Sequence, residues 1–249
     1  MLRLFRNLLL ATGFVLLTSF TPLDQATNTK FLSGPLSFTS LTISGNINSF
    51  ATNLSNKYDE WKLANMNISK ELFNYAVKGY QYLAEKNILR NTGILTIADM
   101  SKPSSEKRLF VINVNTGEVL FKTLVAHGRN SGQEYARNFS NSKSSYASSL
   151  GFYVTTDTYF GKHGYSLRLK GCEKGFNDNA NSRAIVVHGA SYVSESFIEQ
   201  NGYLGRSQGC PAVPEELSKK IIDVIKDGSC LFVYSPSKKY LRRSNILNK

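Results

Sequence analysis

The sequence has few of the residues that bind metal ions. It contains three histidines and three cysteines among 249 residues, and no histidine is followed four positions later by a histidine or an aspartate. Zinc peptidases place their ligands at such short, regular spacings. We therefore predict no metal site and no cofactor.

The chain also lacks the motif set of penicillin-binding serine enzymes. Ser-x-x-Lys occurs at residues 104–107, 140–143 and 235–238, but no Lys-Thr-Gly accompanies it. Those enzymes need the whole set, so three isolated matches carry little weight. Glycine-rich phosphate loops are absent as well.

Acidic residues are scarce. There are 18 of them against 30 lysines and arginines, which gives a net charge of +12. A basic surface favours anionic partners, such as nucleic acid, anionic lipid or a polyanionic cell wall. The basic residues are dispersed and do not alternate with aromatic residues, so we predict no nucleic-acid binding.

Long hydrophobic runs are missing except near the N-terminus. Residues 8–17 are mostly apolar and follow the basic residues Arg3 and Arg6. This arrangement is typical of a secretory signal, and the run is too short to span a membrane comfortably. We predict a signal peptide at residues 1–26, export to the periplasm or cell envelope, and no stable membrane span after cleavage. An uncleaved anchor is the alternative.

Two helices can be predicted from the pattern of apolar residues. Residues 27–68 are predicted to form a linker or N-terminal arm, because about residues 27–56 are rich in Ser, Thr and Asn. Ser69 is placed to cap a helix whose apolar residues recur every three or four positions up to Ala84. A second helix follows Pro214 and ends near Gly228.

Short strands make up most of the rest. Seven are predicted, at residues 94–98, 109–114, 119–125, 151–156, 166–169, 184–187 and 230–234. The pattern predicts one mainly β domain with flanking helices, of the α+β class, at residues 69–240. Residues 241–249 are predicted to form a basic tail.

The most informative segment is residues 205–214, which read Gly-Arg-Ser-Gln-Gly-Cys-Pro-Ala-Val-Pro. It places Cys210 downstream of His188, which ends a short apolar run. The thiolate is the reactive form of cysteine, and a neighbouring imidazole can take the thiol proton. Gly209 lets the backbone approach a substrate carbonyl, and Pro211 favours an extended Cys210. The pattern predicts a cysteine nucleophile with a histidine base.

The number of cysteines is odd, so at least one lies outside any intramolecular pair. Cys210 is the natural candidate for that free thiol. Cys172 and Cys230 are predicted to be small buried residues. A disulfide between these two is the alternative.

At these residues the sequence resembles the murein L,D-transpeptidase catalytic domain family, a variant of the YkuD-type L,D-transpeptidases. The resemblance covers about residues 69–234. Besides the cysteine segment, it rests on Ala-His-Gly-Arg-Asn-Ser-Gly at 126–132, Ala-Arg-Asn-Phe-Ser-Asn at 136–141, Ser-Ser-Leu-Gly at 148–151 and Gly-Phe-Asn-Asp-Asn-Ala at 175–180. One position departs from the better-known YkuD pattern, because Gln208 stands where that pattern has a histidine.

The resemblance implies a YkuD-like β-sandwich or partly closed barrel with the cysteine in a cleft. It also implies an acyl-enzyme formed on peptidoglycan stem peptides. Cys210 would attack an amide carbonyl, and His188 would act as base and acid. Backbone N–H groups around Gly209 would stabilise the oxyanion. In the family, a backbone carbonyl often orients the imidazole.

Four further residues are assigned to substrate binding. Arg206 is placed to bind a substrate carboxylate, because a guanidinium pairs with such groups bidentately. Ser207, His127 and Asn130 lie in the same family segments. For His163, in the turn-like residues 159–165, we expect only a role in shaping a loop.

These observations predict an exported, monomeric cysteine acyltransferase of the L,D-transpeptidase type that acts on peptidoglycan stem peptides. A hydrolase with the same cysteine and histidine, an L,D-carboxypeptidase or endopeptidase, stays open, because water would only replace the entering amine. A non-catalytic protein that binds the cell wall is the second alternative.

Overall fold

In the computed structural model, eight strands within the described residues form a single mixed sheet. They are β1 (Ile94–Asp99), β2 (Leu109–Asn113), β3 (Val119–Thr123), β4 (Gly151–Gly161), β5 (Gly164–Gly171), β6 (Val186–Ala190), β7 (Ala212–Pro214) and β8 (Cys230–Tyr234). Their order in the sheet is β3-β2-β1-β8-β4-β5-β6-β7. The β1–β8 and β6–β7 pairs are parallel, and the other neighbouring pairs are antiparallel.

The two edges of this sheet meet, which makes it a partly closed barrel. Ala126, just beyond β3, forms an antiparallel bridge with Ala212 of β7. Its N–H donates to the Ala212 carbonyl at 2.8 Å. Gly128 forms a second bridge, with Ser207. The predicted fold class is confirmed.

The strand pattern follows from burial. β1 and β8 are buried along their whole length, as expected for continuous apolar runs at the centre of a sheet. All seven predicted strands are present. β4 and β5 are longer than predicted, so that Lys162 and His163 form the tip of a hairpin. β7 was not predicted, because three residues are too few to show a strand period.

The helices are α1 (Lys57–Glu60), α2 (Lys70–Glu85), α3 (Glu195–Asn201), α4 (Glu215–Ile225) and α5 (Lys238–Arg243), with 3₁₀ turns at Leu63–Met66 and Arg129–Ser131. Both predicted helices are confirmed. The Ser69 hydroxyl accepts a hydrogen bond from the Leu72 N–H at 3.2 Å, as expected of an N-cap. α3 and α5 escaped prediction because they are short and bury one side chain or none.

The structure describes Leu54 and residues 56–249. The predicted signal peptide, residues 1–26, and most of the predicted arm lie outside the described residues. The described end of that arm is not a linker: Leu54, Tyr58, Leu63 and Ile68 are buried in the core. The domain therefore begins before residue 69, which corrects the prediction, because these apolar side chains of α1, the 3₁₀ turn and the residues around them pack into the domain core.

The predicted basic tail is also part of the domain. Ile246 and Leu247 are buried in the core. The buried carboxylate of Glu173 accepts hydrogen bonds from the Phe152 N–H and the Tyr240 hydroxyl, both at 2.8 Å, and from the Ser244 hydroxyl. These bonds join the start of β4 to α5 and the residues after it, so 241–249 is corrected from a tail to a packed segment.

Two of the three thiols are structural. Cys172 is half-buried, Cys230 is buried, and both are free, so the alternative of a disulfide between them is wrong. Burial raises the pKa of Cys172 to about 12 and also raises the pKa of Cys230 well above its ordinary value. Separately, within residues 54 and 56–249, no helix is both long and apolar enough to cross a bilayer.

Helix α2 lies against the sheet through a glycine. A Cβ atom built on Gly79 would lie 2.0 Å from Cζ of Phe152. The Phe152 ring is fully buried and stacks on Phe232, with ring centroids 4.1 Å apart. The close approach therefore requires a residue without a side chain.

Gly79→Ala should destabilise the protein, although alanine is the better helix former. The gain in helix propensity is about 1 kcal/mol, whereas forcing a methyl group into a packed core costs about 1–3 kcal/mol. Because the direct overlap with Phe152 places this site at the upper end of that range, we expect a net loss of about 1–2 kcal/mol. Urea unfolding measures it. The control is Asn74→Ala at an exposed position of the same helix, which should be neutral or stabilising; a stabilised Gly79→Ala variant would contradict the packing.

Candidate active site

The barrel closure positions the cysteine beside the histidine strand. β7 pairs in parallel with β6, and the register places Ala212 opposite His188. Cys210 lies two positions before Ala212 in the chain. Cys210 and His188 line the same cleft, whose volume is about 560 Å³. The structure thus brings the two predicted catalytic residues into one site.

Four loops, strand β6 and one hairpin form the walls of this cleft. Arg206, Ser207 and Gln208 come from the cysteine segment, and the hairpin between β4 and β5 adds Tyr159, Lys162 and His163. The other lining residues are Lys143, Ser144, Tyr146, Ser182, Arg183, Ala184, Val186 and Tyr192. Four of the lining residues are cationic and none is acidic. A cleft lined by one sign of charge attracts ligands of the opposite sign.

His188 is held in one tautomer by its own strand. Its Nδ1 lies 2.8 Å from the Gly189 carbonyl, which can only accept, so the Nδ1 carries the hydrogen and the Nε2 has a free lone pair. The side chain is 2% exposed, and the His163 ring stacks on it with centroids 4.3 Å apart. Burial lowers the pKa of His188, and the charges of His163 and Lys162 lower it further, against the raising effect of the Gly189 bond. The imidazole is therefore neutral at pH 7 and can accept a proton.

Cys210 is also neutral in the resting structure. Its thiol is 3.7 Å from the Ala184 carbonyl and donates to it. Burial raises the pKa of Cys210, and this outweighs the Val186 N–H and the charges of Arg183 and Lys162, which lower it. Both pKa shifts oppose a preformed thiolate–imidazolium pair.

The turn before the cysteine needs Gly209. Its φ is +122°, and a Cβ there would lie 2.8 Å from the Ala147 carbonyl oxygen. The Gly209 N–H donates to the Ser207 hydroxyl at 3.0 Å, and that hydroxyl donates to the Cys210 carbonyl at 2.6 Å. The Gly209 N–H is therefore engaged and does not point to an oxyanion. The Cys210 N–H donates to no acceptor among the described residues, which leaves it as the candidate donor.

The residues predicted to bind substrate have different surroundings. Arg206 is exposed at the cleft, with its guanidinium 5.8 Å from the Tyr203 ring. Ser207 also lines the cleft, but both of its hydroxyl bonds are within the loop. Asn130 is exposed and outside the cleft lining; its Nδ2 donates to the Ser145 carbonyl at 2.8 Å. It supports a wall of the cleft without facing it.

The assignment of His127 to substrate binding is corrected. The side chain is fully buried and does not line the cleft. Its Nδ1 accepts from Arg108 at 2.8 Å, and its Nε2 donates to the Gly132 carbonyl at 3.3 Å. Burial, with the Arg108 charge, lowers the pKa of His127 to about 4. Both nitrogens are taken, so this histidine is a structural element below the cleft.

Arg183 is the main residue that sequence reasoning missed. Its guanidinium donates to the Ser140 carbonyl at 2.7 Å, the Ser149 hydroxyl at 2.5 Å, the Ser145 hydroxyl at 3.1 Å and the Ala147 carbonyl at 2.6 Å. It holds the loop of residues 140–149 against the cysteine. No motif marks it; its only signal is its place just before β6.

His163 was expected only to shape a loop, yet its ring stacks on that of His188.

The described part of the chain contains no group of three His, Cys, Asp or Glu side chains that could hold a metal ion.

Comparisons with solved structures give distant matches. An L,D-transpeptidase from Mycobacterium smegmatis is 16% identical and has a TM-score of 0.36, over 57% of this chain and 59% of that chain. An L,D-transpeptidase from Mycobacterium tuberculosis H37Rv is 15% identical, with a TM-score of 0.34 over 57% and 58%. One from Stackebrandtia nassauensis is 15% identical, with a TM-score of 0.34 over 67% and 68%. The chain thus spans about three-fifths of the first of these proteins.

The comparison with curated proteins returned no match. The family model YkuD_2, described as L,D-transpeptidase catalytic domain, matches residues 64–234. That range covers most of the chain and includes both Cys210 and His188. The protein belongs to the L,D-transpeptidase catalytic domain family.

Proposed function

We propose that this protein is an exported L,D-transpeptidase that works through an acyl-enzyme on Cys210. The observation that carries the proposal is the cleft shared by a free thiol and a neutral imidazole whose Nε2 is available. Family membership supports peptidoglycan as the substrate and the cell envelope as the location.

The reaction balances with these two side chains alone. His188 Nε2 takes the thiol proton as Cys210 Sγ forms a bond to the carbonyl carbon of the donor peptide. The C–N bond then breaks, and the imidazolium gives the proton to the leaving amine. A second amine attacks the thioester, the C–S bond breaks, and the proton of that amine returns through His188 to the sulfur.

The surrounding charges suit this chemistry. The Cys210 N–H can donate to the oxyanion of the tetrahedral intermediate. Lys162 and Arg183 stabilise negative charge on the sulfur, since both lower the pKa of Cys210. Arg206 is exposed on the rim, where it can pair with a carboxylate of the stem peptide.

Transfer and hydrolysis in the same cleft are distinguished by their products. If water replaces the second amine, the products are a shortened peptide or separated strands, as in a carboxypeptidase or endopeptidase. A protein that only binds the wall would give neither product. A free thiol and a neutral imidazole that line one cleft favour catalysis over binding alone.

Cys210→Ala should abolish turnover and leave the fold intact, because it removes the nucleophile from a loop position. The assay is incubation with a defined tetrapeptide muropeptide, followed by mass spectrometry. The parent should give cross-linked dimers. If it gives only a shortened monomer, the activity is hydrolysis and not transfer. Cys172→Ala is the matched control and should retain activity. Dimer formation by Cys210→Ala at the parent rate would refute the proposal.

The pH dependence tests His188 as base. Because His188 acts in its neutral form, kcat/KM falls as pH drops through its pKa, which lies below the ordinary 6.5. Lys162→Gln removes a positive charge that lowers this pKa, so the acid limb should move to higher pH. Lys170→Gln, an exposed position on β5, is the control and should leave the profile unchanged. An unmoved or lowered limb in Lys162→Gln would exclude His188 as the titrating base.

Ser207→Ala distinguishes a loop-fixing serine from a substrate contact. The variant frees the Gly209 N–H and the Cys210 carbonyl, so the nucleophile loses its fixed position. We expect kcat to fall by about tenfold or more with little change in KM, since misplacement by 1 Å is costly. The control is Ser144→Ala, at an exposed cleft serine. A rise in KM at unchanged kcat would instead indicate that Ser207 contacts the substrate.

A further inference from the structure

A second pocket lies on the other side of the loop that borders the cleft. Ser140, Asn141 and Ser142 line this pocket, whereas the next residues of the loop, Lys143 and Ser144, line the cleft. The second pocket has a volume of about 820 Å³, against about 560 Å³ for the cleft. Its opposite wall is formed by α5 and the residues that follow it.

The rim of this second pocket is cationic and uncompensated. Lys174, Lys239, Arg242 and Arg243 line it, and no acidic side chain does. Within the described part of the chain, none of the four forms an ion pair. The Arg242 and Arg243 charges are favourable at the C-terminal end of α5, but Lys174 and Lys239 gain nothing from that position. Two separate segments therefore converge with the same charge.

The nearest carboxylates are occupied elsewhere. Asp178 accepts from Asn141 Nδ2 and from the Gly175 N–H, each at 2.7 Å. Glu173 is buried and accepts a hydrogen bond from the Tyr240 hydroxyl. Neither one lines the pocket. Asp178 interacts electrostatically with Lys174, but Lys239, Arg242 and Arg243 form no ion pair within the described residues and are left for an anionic ligand.

Aromatic side chains form part of the lining of this pocket. Phe139 and Phe176 are half-buried and line it, and the Phe176 ring meets Tyr240 edge-on at 5.1 Å. Small apolar groups can pack there while charged groups reach the rim. A short peptide with methyl side chains and free carboxylates has this combination.

We propose that the second pocket is a non-catalytic subsite that binds a carboxylate-bearing peptide of the polymer whose other peptides enter the cleft. Naming that polymer as peptidoglycan rests on the proposed function. Arginine and lysine pair with carboxylates at close range, and an arginine does so bidentately. One loop separates the two sites, so the pocket holds the polymer next to the nucleophile.

The test measures binding apart from turnover. In a Cys210→Ala background, cosedimentation with purified peptidoglycan sacculi compares Lys239→Glu/Arg242→Glu with Lys78→Glu/Lys86→Glu, on α2 and at its C-cap. All four residues are exposed, and both double variants change the net charge equally. We expect binding by the pocket variant to be about tenfold weaker, because two attractions become repulsions, and the control to bind like its parent. Equal loss in both variants, or none in the pocket variant, would overturn the proposal.

Two treatments of the sacculi identify the ligand chemistry. Converting the carboxylates to amides by carbodiimide coupling should reduce parent binding to the level of the pocket variant. Hydrofluoric acid, which strips phosphodiester polymers, should leave parent binding unchanged. Unchanged binding to amidated sacculi, or binding lost after hydrofluoric acid, would exclude a carboxylate peptide as the occupant.

The two proposals can fail separately. With Cys210 present, the pocket variant should keep its kcat/KM on a soluble muropeptide, since neither mutated residue lines the cleft. If the parent forms no dimers but its binding to sacculi depends on the pocket, the proposed function is excluded and the subsite stands. If the parent and the pocket variant are both active and bind sacculi equally, the proposed function stands and the subsite is excluded.

Discussion

The active-site loop depends on a buried guanidinium. Arg108 is fully buried, and it donates to the Val125 carbonyl, the Lys102 carbonyl at 2.6 Å and the Nδ1 of His127 at 2.8 Å. The carbonyl of His127 in turn accepts the Ser207 N–H at 2.9 Å. A buried charge is tolerated only when its hydrogen bonds are complete. The strand end, the imidazole and the cysteine loop must therefore be in place together.

The two buried histidines differ in their hydrogen bonds. His127 lies beside the Arg108 charge and is fixed as a neutral ring with both nitrogens occupied. His188 is also buried, but only its Nδ1 is bonded, and its other nitrogen is left for chemistry. Because both rings are neutral near pH 7, charge does not distinguish them; the free nitrogen at the cleft does.

Arg183 links the two cationic pockets. One guanidinium nitrogen donates to the Ser140 carbonyl, in the loop that lines the second pocket, and the other donates to the Ser145 hydroxyl at the cleft side. A single half-buried side chain thus fixes the loop between them. The surroundings of Cys210 act on its pKa in opposite directions: burial raises it and keeps the thiol protonated, whereas Arg183 and Lys162 lower it.

The sequence by itself determined seven of the eight strands in the described residues and the two longer helices, because these follow from local periodicity. It also singled out Cys210 and His188, through the residues next to each. Only the tertiary structure decided the burial of His127, the engagement of the Gly209 N–H, the role of Arg183 and the packing of both ends of the domain. Each depends on partners distant in the chain, such as Glu173 with Ser244, 71 residues apart. Burial and hydrogen-bond pairing of that kind are set by which segments the barrel brings together, and no local pattern encodes them.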